Sequence, residues 1–297
     1  MMMQSDGDIL TLAKKRVVLF DGAMGTMLIG EGLSGGEAPE MWNIQRPETV
    51  RSVHKRYFDA GSDVALTNTF GGNRLKLRRA KQEKAVFEIN TAAVELARSA
   101  SPPGRFVAGD IGPSGELLAP VGTVTPETME DVFAEQADAL ASGGVDFILI
   151  ETMFSLQEAV AALRGARRAC NCPVVVSITY ESKSRGFFTM MGETPETCVK
   201  TLQDEGADGV GTNCTLASGE MILLARVLRE STSLPLIVEP NAGKPSLRGG
   251  KTVYDQTPEE FARDIHSMVE AGVDMVGGCC GTTPEFISAV HRALFPK

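Results

Sequence analysis

Three of the six cysteines stand where the chain leaves a strand-like run. Cys214 closes TNC (212–214), and Cys279 and Cys280 lie side by side in GGCCGTT (277–283). Thiolates select soft or borderline ions, zinc first among them, and three protein sulfurs leave one tetrahedral position open, which is the catalytic pattern. An ion already carrying three thiolates is a poor activator of water, yet it can hold an incoming thiol in its nucleophilic thiolate form. The chemistry expected is alkyl transfer to a substrate sulfur. The rival reading is plain packing, because cysteine is among the most buried residue types.

Short apolar runs alternate eight times with longer amphipathic ones, and this alternation must position the thiols. The expected strands are Val17 to Phe20, Val64 to Thr67, Phe106 to Gly109, Phe147 to Ile150, Val174 to Ile178, Gly209 to Gly211, Leu236 to Val238 and Met275 to Gly277. Helical periodicity covers 47–60, 73–98, 125–142, 155–169, 194–205, 218–231, 258–271 and 284–294. Several helices open on Thr-Pro-Glu, at 125, 194, 257 and 283, with threonine to cap free amides and proline where a missing N–H costs nothing. The joints DAGSDVAL (59–66), LASGGVDFILI (140–150), DEGADGVG (204–211) and EAGVDMVG (270–277) each pass from glycine through an acidic turn into a strand.

This pattern predicts an α/β fold, a (β/α)8 TIM barrel in a single domain over 1–297, with 1–15 as an N-terminal extension. A doubly wound sheet is the rival, but no GxGxxG follows the first strand. In a barrel, residues just after the strands form the active face, and strands six and eight are one strand apart. Cys214 can therefore meet Cys279 and Cys280. Vicinal cysteines cannot both face inward from a regular strand, so Gly277, Gly278 and Gly281 are expected to supply an irregular backbone.

Other chemistries fit less well. His54, His266 and His291 all fall inside expected helices, which leaves no histidine base at the rim. Cys170 and Cys172 precede strand five on the opposite face and Cys198 lies in a helix, so these three read as structural. DGAMG (21–25) lacks the residues of a phosphate loop. A net charge of −9 argues against nucleic acid and anionic membrane surfaces as partners. The start of the chain has no secretory pattern, no run is long enough to span a membrane, and six cysteines are too few for a disulfide scaffold; a cytoplasmic protein is expected.

The pieces DGAMGT (21–26), TNTF (67–70), GDIGP (109–113), ET (151–152), TNC (212–214), EPNAGKP (239–245) and GGCCGTTPE (277–285) together resemble the homocysteine S-methyltransferase family. Within it they are most similar to the homocysteine-binding modules of cobalamin-dependent methionine synthases. The resemblance implies a zinc-dependent enzyme that methylates the thiolate of homocysteine to give methionine, with Cys214, Cys279 and Cys280 as ligands. It also implies that Asp21 and Glu151 face the substrate ammonium, and that Asn241 orients the loop or the metal-bound group. Thr67, Asn68 and Thr69, with backbone amides around Gly22, are expected to receive a carboxylate or brace the floor.

A methylcorrinoid, methylcobalamin on a separate domain or corrinoid protein, is the expected donor. The alternatives are another small thiol or donor, a demethylase component, or a non-catalytic metal-binding barrel. Two rim loops stand apart: 32–48, with the only tryptophan, and 180–193, with Phe187, Phe188, Met190 and Met191, expected as a lid, a docking face or packing.

Overall fold

The computed structural model describes residues 8–249 and 251–296, the side chain of Lys251 excepted. Eight parallel strands run in sequence order around a nearly closed barrel. They are β1 Val18–Leu19, β2 Val64–Leu66, β3 Phe106–Ile111, β4 Phe147–Met153, β5 Val174–Ile178, β6 Gly209–Ala217, β7 Leu236–Asn241 and β8 Met275–Val276. Each pairs with its sequence neighbour from β2 to β8, and β8 pairs with β1. The remaining seam, between β1 and β2, has no ladder. It is held by Asp63 N–H donating to Leu19 O (2.6 Å), Leu19 N–H to the Asp63 carboxylate (3.1 Å) and Leu66 N–H to the Asp21 carboxylate (3.0 Å).

Alternate strand residues face inward. Val18, Phe20, Val64, Phe106, Ala108, Phe147, Leu149, Val175, Ile237 and Met275 form the apolar barrel interior, and the short helix Ile9–Ala13 adds Ile9 and Ala13 to the same cluster. A larger apolar layer fills the space between the strands and the surrounding helices. The threonines at 125, 194 and 257 cap their helices as their sequence predicts, accepting from Thr128, Thr197 and Glu260 N–H. Thr283 makes no such bond.

The expected helix 73–98 is broken. It comprises Arg74–Leu77, a 3-10 turn at Arg78–Ala80 and a separate helix Val86–Ala100, with Lys81 in the left-handed region at φ 58° between them. The acidic joint residues bind at the N-terminal rim. Asp146, Asp208 and Asp274 accept from the N–H groups of Val107, Val174 and Leu236, and they pair with Arg98, Arg167 and Arg229. Asp63 does the same with Arg16 and Arg105. Among the described residues, no helix is long and apolar enough to cross a membrane.

Candidate metal and substrate site

The three rim cysteines meet. Their sulfurs all lie within 4.8 Å of one another, and Cys214 Sγ is 3.9 Å from Cys280 Sγ. Strand β6 runs further than its sequence suggests, so Cys214 lies within it, at a register shift between Asn213 and Ala217. Cys214 and Thr215 adopt left-handed φ values of 61° and 58°, rare for residues with side chains and costly unless the surroundings impose them. Thr152, beside Glu151, has φ 58° at the register shift of β4. Of the four non-glycine residues with positive φ among the described residues, three therefore sit at this site.

The loop after β8 is pinned from both sides. Cys279 N–H donates to Pro240 O (2.8 Å), Gly278 N–H to Asp21 O (3.0 Å) and Gly281 N–H to Thr26 Oγ1 (3.0 Å), while Cys280 O accepts from Ala242 N–H (3.0 Å). Of the three glycines expected to bend this loop, only Gly281 is left-handed, at φ 85°, with the Tyr254 ring packed where a Cβ would stand. Gly277 and Gly278 provide room instead: a Cβ on Gly277 would lie 2.9 Å from Glu239 Oε1, and one on Gly278 2.6 Å from Thr282 Oγ1.

Below the thiols, the apolar interior gives way to acidic residues. Asp21 follows β1, while Asp110, Glu151 and Glu239 lie near the ends of β3, β4 and β7, and burial raises the carboxyls of all four. Glu151 reaches about 7, with hydrogen bonds from Thr152 and Asp110 opposing the rise. Mutual charge adds to burial: Asp110 feels Glu151, Glu239 and Asp21. One oxygen each of Asp21 and Asp110, and both of Glu239, are buried with no hydrogen-bond partner. No lysine, arginine or histidine pairs with these four among the described residues. An acidic cage with unpartnered oxygens is suited to cations.

The thiols share their charge unequally. Thiol donation from Cys214 and Cys279 lowers Cys280, while hydrogen bonding to Cys214 and Cys280, together with burial, raises Cys279. Cys214 gains from Cys279, but donation to Cys280 and burial outweigh this and push it to about 11. The donor set is soft, close and half-buried, which fits a tetrahedral ion.

The other expected site residues fall into two groups. Asn241 is buried at the end of β7 with its carbonyl oxygen unpartnered, and Gly22 lies against Thr282 and Tyr57. Thr67 and Thr69 are bonded to each other (2.6 Å) and brace β3, through Asp110 N–H to Thr67 (3.0 Å) and Thr69 to Asp110 O (2.7 Å). Both amide hydrogens of Asn68 hold the 39–43 loop, through Pro39 O (2.8 Å) and Asn43 Oδ1 (3.0 Å). Trp42, in that loop, is buried in the core. In the other loop, a hairpin of Glu181–Lys183 and Gly186–Phe188, Phe187 packs inward while Met190 and Met191 are exposed.

Asn213 is one residue that the sequence reading does not single out. Its amide donates to Glu151 and to Thr152 Oγ1 (2.7 Å) and lies 3.9 Å from Cys279 Sγ, while its carbonyl accepts from Thr152 N–H and Ser177 Oγ (both 2.8 Å). Asp110 and Glu239 were also missed. The signal was present in the i, i+2 pattern Phe106, Ala108, Asp110 and Ile237, Glu239, Asn241. Cys198 is buried in its helix, and Cys170 and Cys172 lie at the opposite end of the barrel. His54 is buried without partners and lowered to about 4 by burial alone.

Fold and site define a (β/α)8 barrel with a three-cysteine cluster able to hold a metal, set above a group of carboxyls. Comparison with known proteins narrows this. The model of the homocysteine S-methyltransferase family matches residues 18–294, and the chain belongs to that family. It is 32% identical to the methionine synthase of Mycobacterium leprae over 98% of its length and 33% identical to that of Mycobacterium tuberculosis over 97%. It spans about a quarter of the length of those relatives, 25% of each. The crystal structure of the homocysteine methyltransferase MmuM from Escherichia coli, in metallated form, superposes with a TM-score of 0.80 at 25% identity, covering 94% of this chain and 97% of that one.

The last match overturns the expected methylcorrinoid donor. A homocysteine methyltransferase of nearly the same extent is this barrel alone, with almost nothing left over in its chain to carry a corrinoid. The expected methylcobalamin and corrinoid-protein partner go with the correction.

Proposed function

We propose that the chain is a zinc-dependent homocysteine S-methyltransferase that takes its methyl group from a small cationic donor, a sulfonium or quaternary ammonium compound, and releases methionine. The observation that carries this reading is the convergence of three sulfurs within 4.8 Å directly beside a buried acidic layer that no basic residue neutralises. Cys214, Cys279 and Cys280 would hold the zinc ion, which when bound supplies a lowered pKa to a substrate thiol. Asp21, buried with one oxygen unpartnered, and the half-buried Glu151 receive the substrate ammonium, because neither meets a protein cation among the described residues. Asn213 ties Glu151 to the β6 register shift, so the carboxylate and the thiols keep a fixed spacing.

The substrate sulfur gains a bond to the methyl carbon as the donor's C–S or C–N bond breaks, and the bonding pair leaves with the now neutral donor. The acidic layer draws a cationic donor in and releases it once uncharged. Holding both reactants in line gives the usual orientation advantage, worth several kcal/mol. The six unpaired thiols suit a reducing, cytoplasmic setting.

Metal analysis combined with a methyl-transfer assay tests this. S-methylmethionine and betaine are offered as donors beside methylcobalamin, with homocysteine as acceptor. The reading predicts about one zinc per chain and turnover with a cationic donor. Turnover with methylcobalamin alone, or zinc that survives Cys279→Ser together with activity, overturns it.

A further inference from the structure

At the N-terminal rim the aspartate–arginine pairs are one to one at Asp146, Asp208 and Asp274, but Asp63 holds two guanidiniums. Arg16 binds it with both terminal nitrogens, at 2.7 and 2.9 Å, and Arg105 binds Oδ1. With Leu19 N–H also donating to it, this carboxylate is saturated, and one guanidinium charge is left uncancelled. A cavity of about 190 Å³ opens at that place, lined by Arg16, Gly61, Asp63, Arg105, His291 and Phe295. It lies at the end of the barrel opposite the cysteines, since Arg16, Asp63 and Arg105 all precede their strands.

The walls are built. The Phe295 ring lies 5.6 Å from the Arg16 guanidinium and 5.3 Å from the His291 ring, so one aromatic side chain orients both. His291 rests on the Gly61 backbone, where φ is 110° and a Cβ would stand 2.4 Å from the imidazole, so only glycine allows the contact. The Arg105 side chain makes no hydrogen bond other than to Asp63 among the described residues, which leaves the rest of its donor fork available. In a chain of formal charge −9, this lining is cationic.

We propose that this cavity binds a small oxyanion, a phosphate or carboxylate group held between Arg16, Arg105 and His291. Planar guanidinium forks match both groups. The volume is below the roughly 300–1,000 Å³ of drug-sized ligand pockets, so the ligand is a small anion and not a nucleotide. Bound there, the anion bridges Arg16 before β1, Arg105 before β3 and His291 of the C-terminal helix, across the seam of the barrel that lacks a ladder. It stabilises the fold by linkage, independently of the chemistry at the other rim.

Isothermal titration of the zinc-loaded full chain with inorganic phosphate and, separately, acetate tests this, with sodium chloride at matched ionic strength as control. Saturable binding of one or both anions, absent with chloride, is expected, and the two arms identify the preferred group. Arg105→Gln weakens binding by roughly tenfold. His291→Gln leaves both arginines on Asp63, folds normally, keeps methyl transfer unchanged and weakens binding several-fold. Binding that survives Cys279→Ser excludes the metal rim as its source. Equal affinity in wild type, Arg105→Gln and His291→Gln, or no saturable heat with either anion, overturns the assignment.

Discussion

The two ends of the barrel treat their carboxylates in opposite ways. At the N-terminal rim Asp63, Asp146, Asp208 and Asp274 each meet an arginine and a backbone N–H, so charge and hydrogen-bonding capacity are both satisfied. At the C-terminal rim Asp21, Asp110, Glu151 and Glu239 meet one another, and several of their oxygens have no partner. Three left-handed non-glycine residues sit at the same end. One rim is built for stability, and the other holds strain and unpartnered carboxyl oxygens that a bound cation can engage.

Breaking the thiol centre has the largest effect. Cys279→Ser lowers methyl transfer and metal affinity by at least roughly 100-fold while circular dichroism stays that of the wild type; metal analysis and activity read both. Asp63→Ala gives the converse: about 3 kcal/mol of stability lost in urea unfolding, because two arginines and an N–H lose a buried partner, with unchanged turnover per folded molecule. A loss of turnover in the second variant, or of fold in the first, erases the contrast between the rims.

Glu151→Gln sharpens the contrast through pH. The folded Glu151 carboxyl, at about 7, lies above its unfolded value near 4.5, so the folded state holds the extra proton. Its contribution is complete below the unfolded value and is lost as pH rises through about 7, a change of about 3 kcal/mol. Unfolding of metal-free protein against pH should show a steeper slope in the wild type than in the variant, in which Asp21, Asp110 and Glu239 keep their raised carboxyls; the variant also has a raised KM for homocysteine.

The smallest effect lies outside both rims. His54 is neutral and unpartnered in the core, at about 4 against an ordinary 6.5. Its folded value is the lower one, so stability is full above 6.5 and falls as pH drops toward 4, by about 2 kcal/mol at pH 5. His54→Leu removes that fall.

Much of this was legible in the residues. The eight-fold alternation, the Thr-Pro-Glu helix starts and the four acidic joints give the barrel, because each is a local matter of periodicity, capping and turn chemistry. The break at Lys81 was not legible, since 74–98 keeps its helical composition across a left-handed residue. Asp110 and Glu239 read as ordinary strand-end residues until the closed barrel turned every second one toward the same axis.

The sequence by itself determined the strands, the helices and the residue types at each strand end, including which cysteines could serve as ligands. Only the tertiary structure decided that three sulfurs separated by 65 residues share one corner and that four carboxylates share one layer. It also decided that Asn213 joins them. The physical reason is that side-chain period and capping act over a few residues, whereas burial and mutual charge exist only once the sheet has closed.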